Sequence, residues 1–499
     1  MRRVVLTGAR FVLLAGPVAL AFFTGGYFDE ARAWAGLITC ALVVVAVLAS
    51  DSPLPRGRGP RLALGGLALF AVWTLMSTTW GPISGSAYHA GQQVILYAGG
   101  LLAATLLLRS RGARGSVDPA VAGGTLVVVG YGISERLLPG LLHFERSVTA
   151  QGRLEQPLTY WNAMGEVAAL GLVMCARVAG DAGRPRPLRA AAAAAAAPLG
   201  MGLYLSFSRG ALFACAAGLV ALIVAAPRRE QVRGVLLVLA AGVLASIAAS
   251  PFRSLTSLSG GLSTREQQGA AVLALLAVIM VAAALWQLAL ARREQSRPLR
   301  LPRRAPLIAL VIICGGLGIA LAVGAKESSK EPLSAGASRY ETLQSNRYAY
   351  WGVAIRAFGD EPLRGVGAGG WAVYWLRYRT VTESARDAHS LFFQTAAELG
   401  LVGLALLAAF LAGMALAARD AHTAAPGLAA GPIAGFVAYV AHAPLDWDWQ
   451  MPTVTLFALV LAGALLALAD PGLSAAGIDA VADRRDEVPL DELAPSPRP

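Results

Sequence analysis

The chain has 499 residues, 56% of them hydrophobic and only 14% charged, with a mean hydropathy of +0.58 and a formal net charge of +12. A soluble domain needs a charged shell that this composition lacks, and a positive balance gathered into short connections needs no nucleic acid to explain it. About 20 apolar residues in a helix rising about 1.5 Å per residue cross a hydrocarbon core of about 30 Å. The expected fold is therefore all-α: a polytopic integral membrane protein of about 12 to 14 transmembrane helices with one large extracytoplasmic loop.

Apolar runs predict spans at 11–28, 33–50, 62–80, 89–108, 117–134, 160–180, 188–207, 210–226, 234–250, 268–290, 305–325, 388–417, 427–443 and 452–469. They divide the chain into membrane helices with short loops over 1–325, a large outer loop over 326–387, C-terminal membrane helices over 388–471 and a cytoplasmic tail over 472–499. The acidic, Pro-containing composition of the tail predicts disorder. Clusters at Arg2/Arg3/Arg10, Arg56/Arg58/Arg61, Arg109/Arg111/Arg114, Arg184/Arg186/Arg189, Arg228/Arg229/Arg233 and Arg292 to Arg304 fall on every second connection. Basic residues mark the cytoplasmic side, which puts both termini in the cytoplasm and the large loop outside. Most tryptophans fall at or beyond the outer interface, whereas an aromatic belt populates both faces, so the outer surface is expected to be the working one. Cys40, Cys175, Cys215 and Cys314 lie in apolar runs without ligand spacing and read as packing residues.

The chemistry-bearing segments all fall on the outer side. Gly152-Arg153 through Tyr160-Trp161-Asn162 combines a cation, a Pro turn, aromatics and an amide, a mixture suited to lipid phosphate and sugar. Ser206-Phe207-Ser208-Arg209-Gly210 joins two spans by a very short turn, putting Arg209 at a helix N-terminus, where free N–H groups and the dipole favour an anion that a guanidinium can grip with two hydrogen bonds. In the large loop, Ser338-Arg339-Tyr340 and Asn346-Arg347-Tyr348-Ala349-Tyr350-Trp351 lead to Arg356 and to Pro362-Leu363-Arg364-Gly365-Val366-Gly367. Gly365 to Gly370 fits G-x-G-x-x-G, but no βαβ context surrounds it, and turn glycines are the better account. Trp371, Tyr374, Trp375 and Tyr378 recur at helical spacing, as an interfacial helix packed on membrane or loop, or as a platform for stacking sugars. His389 opens the twelfth span, with Gly400 and Gly403 about three and four turns below it on the same stripe, a groove where a neighbouring backbone approaches closely. Asp446 and Asp448, two residues apart in the last outer turn after His442, could form a catalytic or metal site, but they lack ligand-spaced partners, which favours a structural turn.

These segments resemble the O-antigen ligase and O-antigen polymerase superfamily, polytopic bacterial enzymes. His389-Ser390, nine residues, then Gly400-Leu401-Val402-Gly403 matches that superfamily's His-[Asn/Ser/Gln]-x9-Gly-x-x-Gly signature. Ser206 to Gly210 resembles its Ser-x-Ser-Arg-Gly segment, Arg347 to Trp351 with Pro362 to Gly367 the start of its outer loop, and Gly152 to Asn162 a third recurrent stretch. The likeness runs over about residues 150–450 and is specific for the superfamily more than for any subtype.

The resemblance implies a membrane glycosyltransferase. It transfers a glycan from undecaprenyl diphosphate to an acceptor hydroxyl at the outer face of the cytoplasmic membrane, by an inverting step without metal or other cofactor. The implied partners are the lipid-linked donor, a saccharide, lipid or protein acceptor, and membrane lipids. Charge grows on the departing diphosphate, so fixed guanidiniums favour the transition state. Arginine is too basic to take a proton, which leaves His389 as base or hydroxyl-orienting group. His389, Arg209 and Arg347 are the expected catalytic residues, and Arg153, Tyr160, Asn162, Arg339, Trp351 and Arg356 the expected substrate contacts. A polysaccharide polymerase of the same superfamily is the alternative, and a transporter is the reading from another class. A transporter calls for inverted repeats and mid-membrane ionisable residues, and no clear repeat is visible.

Overall fold

The computed structural model describes residues 2–292, 298–326 and 345–470. Arg339 and the 472–499 tail lie outside them. The described chain is helical, without named strands, and ten of its helices are long and apolar enough to cross a membrane. This is a multi-pass membrane protein. In chain order the main helices are α1 (Arg2–Ala21), α2 (Asp29–Leu48), α3 (Arg58–Met76), α4 (Ser84–Leu107), α5 (Val117–Leu137), α6 (Trp161–Gly180), α7 (Arg186–Leu205), α8 (Arg209–Ala225), α9 (Arg229–Ala249), α10 (Leu262–Arg292) and α11 (Ala305–Lys326). There follow α12 (Arg347–Asp360), α13 (Gly370–Tyr378), α14 (Leu391–Ala424), α15 (Pro426–His442) and α16 (Pro452–Leu468). Each apolar run read from the sequence corresponds to one of these helices, although α1 starts nine residues earlier than hydropathy alone suggests, at Arg2 rather than residue 11.

Helix α6 forms the centre. Most of its residues are apolar on every side, as suits a helix without a solvent face, with Glu166 and Arg177 as buried exceptions, and its membrane-length window is entirely buried. Helices α5, α7, α8 and α9 surround it, while α3 packs on α14, α8 on α15, and α4 on α16. Close helix approach depends on missing side chains: a Cβ on Gly200 of α7 would fall 2.2 Å from the Gly242 Cα of α9, and one on Gly413 of α14 would fall 2.3 Å from the Ala63 amide of α3. Lipid tails offer no hydrophobic driving force, so such close packing is a main source of helix association.

Two features depart from the sequence reading. His389 does not stand on the stripe above Gly400 and Gly403. Helix α14 begins only at Leu391, capped by the Ser390 side chain, and breaks at Gly400 (φ 64°, ψ −158°). That backbone region is essentially closed to residues other than glycine. What approaches Gly400 is a loop rather than a helix: a Cβ there would fall 2.5 Å from the Leu363 carbonyl oxygen and 2.6 Å from the Gly365 amide. The 362–367 loop repairs the break. Val366 and Gly367 donate to the Ala397 and Glu398 carbonyls (2.9 and 2.8 Å), while the Leu401 and Val402 amides donate to Pro362 and Leu363 (2.9 and 3.2 Å).

The described residues between α11 and α14, moreover, have a core of their own. Trp371 and Trp375 are fully buried, stacked with centroids 5.5 Å apart, and join Tyr350, Trp351 and Val366. The aromatic stripe of α13 is therefore packed within the loop, and its tryptophans offer no face to a sugar.

Candidate functional site

Five stretches meet at one end of the bundle: the approach to α6, the α7–α8 turn, the start of α12, the entry to α14 and the α15–α16 turn. Backbone bonds join them. The Leu154 amide donates to Leu205, and the Leu391 amide to Ala443, each at 2.9 Å. The α15–α16 turn is held from behind by Gln93 of α4, which donates to the Trp449 carbonyl (2.6 Å).

Asp446 is the centre of the cluster. Its fully buried carboxylate accepts from Arg347 Nη2 (2.6 Å), the Tyr160 hydroxyl (2.6 Å) and the Trp447 amide (2.9 Å). Asn162 in turn donates to the Tyr160 oxygen (2.7 Å). Burial works to raise the Asp446 pKa, but Arg347 with His389 outweighs it and holds the carboxyl below its usual range. Burial likewise disfavours the Arg347 charge, and Asp446 more than restores it. The phenol of Tyr160 is pushed well above its ordinary value by burial and by the neighbouring carboxylate. Arg347 Nε is a buried donor without a partner among the described residues, the kind of orphan that calls for a ligand or an ordered water.

His389 sits beside this pair, its ring 4.9 Å from that of Tyr350 and 6.0 Å from that of Trp447. Its Nδ1 lies 2.9 Å from the Asp387 carbonyl oxygen. A carbonyl accepts only, so Nδ1 carries the proton and Nε2 is left as the acceptor. Burial first, and Arg347 after it, lower the pKa from the usual histidine value, with Asp446 opposing. The ring is neutral near pH 7 and chemically a base.

Arg209 opens α8, whose Ser208 N-cap accepts from the Ala211 amide. The next residue, Gly210, lies against the α15–α16 turn: a Cβ there would fall 2.8 Å from His442 Nε2 and 3.7 Å from the Leu445 Cβ. Several residues of this end take left-handed backbone despite having side chains, Thr159 (φ 61°), Phe207 (φ 48°) and His389 (φ 52°) among them. Such strain persists only where surrounding contacts hold it and gathers at functional sites.

Tyr160, Asn162, Arg347 and His389 are thus brought together, with the Arg209 helix tip against the same turn. Arg153 stands behind them. Its guanidinium lies 3.5 Å from the centroid of Trp161 and donates to the Ala150 and Thr149 carbonyls (2.7 Å each), so it braces the Tyr160–Trp161 segment. Trp351 is turned into the loop core, stacked on Phe393 at 5.1 Å. Arg356 is exposed and lies over the Tyr378 ring at 3.8 Å. Neither takes part in the contacts around Asp446. The sequence alone favoured a structural turn over a place in the site for Asp446. Its arginine partner stands 99 residues away, and only the neighbouring aromatics and His442 hinted at it.

A half-buried, aspartate-anchored guanidinium, a neutral imidazole and a helix N-terminus with its own arginine can together hold an anionic leaving group and take a proton from a hydroxyl.

A family model described as O-antigen ligase matches residues 257–408. That stretch includes Arg347, His389, Gly400 and Gly403 and ends before Asp446. The match bears out the likeness to the O-antigen ligase superfamily. No curated protein matches the chain.

Proposed function

We propose that the protein is a membrane glycosyltransferase that moves a glycan from undecaprenyl diphosphate to an acceptor hydroxyl at the outer face of the bacterial cytoplasmic membrane. The family match suggests glycan transfer or polymerisation in a membrane. The observation that carries the finer reading is the Arg347–Asp446 pair beside a neutral His389. In this reading His389 Nε2 takes the acceptor proton as the hydroxyl attacks the anomeric carbon from the face opposite the leaving group. The bond to the diphosphate oxygen breaks and the configuration inverts. Asp446 keeps the Arg347 fork aimed at the phosphates, and Arg209 meets them from the α8 N-terminus, so two cations face the oxygens on which charge grows. The same residues serve a ligase and a polymerase alike; the acceptor distinguishes the two.

The test is purified protein in detergent with an undecaprenyl-diphosphate-linked glycan and candidate saccharide, lipid and peptide acceptors, with and without chelator. Covalent transfer that survives the chelator supports the reading. Failure with every acceptor, together with solute movement in proteoliposomes, overturns it in favour of transport.

A further inference from the structure

Behind the Arg347–Asp446 pair lies a second set of titratable groups closed off from water. Glu166 of α6, His442 at the end of α15 and Asp448 in the turn that follows are 0%, 0% and 1% exposed. His442 Nδ1 is hydrogen-bonded to Asp448, and a Glu166 oxygen lies 4.0 Å from the same nitrogen. Both Glu166 oxygens, Asp448 Oδ1 and His442 Nε2 have no hydrogen-bond partner among the described residues. The imidazole is the only basic group among them at ion-pair distance from either carboxylate. Two carboxylates and one imidazolium, all ionised, would leave a net negative charge in a dry interior, which is costly. One further proton brings the cluster to neutrality and turns an unpaired carboxylate into a hydrogen-bond donor.

The location gives this proton a consequence. His442 fills the space between the turn that carries Asp446 and the first turn of α8, directly after Arg209. We propose that Glu166, His442 and Asp448 share two protons in the working protein, and that this neutral buried cluster sets how tightly the α8 tip holds a diphosphate. The proposal rests on the reading of Arg209 as a diphosphate contact. Glu166 and His442 are positioning residues; they touch no ligand. Loss of the Glu166 proton puts one negative charge beneath an anionic ligand. Across about 10 Å at an effective dielectric constant of about 20, that weakens binding roughly tenfold. The other titratable or charged groups that face the cluster are Cys215 of α8, Tyr439 of α15, Asp446 of the turn and Arg347 of α12.

Two measurements on the purified full chain test this. Infrared difference spectra are expected to contain a protonated-carboxyl stretch at neutral pH that is lost on alkalinisation and is absent from Glu166→Gln. Should that variant fail to fold, Glu166→Asp is expected to shift the band instead of removing it. Binding of undecaprenyl diphosphate is expected to fall about tenfold with the loss of the band in the wild type, and to stay level in Glu166→Gln over the same pH change. A band unchanged by both variants, or a Glu166→Gln affinity that falls with pH as the wild type does, overturns the proposal. Arg209→Ala separates the underlying reading. If it binds undecaprenyl diphosphate as tightly as the wild type, the diphosphate assignment fails and takes the link to the cluster with it, while the infrared band still decides whether Glu166 holds a proton.

Discussion

His389 is held by two constraints of different kinds, a left-handed backbone and a hydrogen bond from its Nδ1 to a main-chain carbonyl. Both fix the imidazole independently of the arginines, so His389→Ala is expected to leave carrier-lipid binding almost intact while transfer collapses by roughly 10²- to 10⁴-fold. A variant that turns over at the wild-type rate would remove the base from this position. The lowered pKa gives a second check. The base works only when neutral, so the wild-type rate is expected to fall as pH drops, with its acid limb below the ordinary histidine value of about 6.5. Asp446 is a different case, because it supports another residue's charge. Asp446→Asn leaves the Arg347 guanidinium without a counter-ion. Breaking a buried pair costs about 3–5 kcal/mol, and the 19% exposure of Arg347 points to the lower end. Thermal unfolding in detergent measures that loss, and transfer should fall with it. Arg209→Lys keeps a charge but not the planar fork; a loss of roughly 10²- to 10³-fold in transfer with normal membrane insertion is expected.

At the scale of elements, hydropathy reported the helices well and their interruptions poorly. A run of apolar residues has the same average whether or not the backbone breaks inside it, so α14 read as one continuous span. Gly400 looked like one half of a helix-packing groove because small residues serve both purposes. Only the loop that fills the gap tells the two apart, and that loop is a separate stretch of sequence. Asp446 read as part of a structural turn for a similar reason: its side-chain partners, Arg347 and Tyr160, come from two other segments, and a carboxylate in a turn carries no spacing signal. By contrast Tyr160, Asn162 and His389 each sit within a few residues of a helix start that hydropathy locates, whereas Arg347 lies in the large loop, where only the family resemblance singled it out. Gly400→Ala is expected to lower both thermal stability and transfer, although the residue lies within the helix and away from the cluster. Alanine held in this glycine-only backbone region costs on the order of 1–3 kcal/mol, and the added methyl overlaps the Leu363 and Gly365 backbone. Gly318→Ala, where the new methyl meets nothing within 4 Å, is the control and should be neutral. Equal behaviour of the two variants would count against the loop as the reason for the glycine.

For the whole molecule, all the chemistry collects at one end of a bundle whose other end carries the arginine clusters. In a cysteine-free background, Val148→Cys, 93% exposed at the site end, is expected to react with an impermeant thiol reagent in intact cells. Leu54→Cys, 74% exposed in the α2–α3 connection, is expected to react only after permeabilisation. The reverse pattern would invert the topology. The repaired break in α14 also bears on how this protein can be re-engineered. The 362–367 strand of loop and the 397–402 stretch of helix complete each other's main-chain hydrogen bonds, so neither is a freestanding module. A chimaera that imports the outer loop alone from a relative will carry half a joint and is expected to insert poorly. One whose boundaries enclose both halves, running from the start of α12 beyond Val402, transplants the joint intact and with it the tip that holds His389.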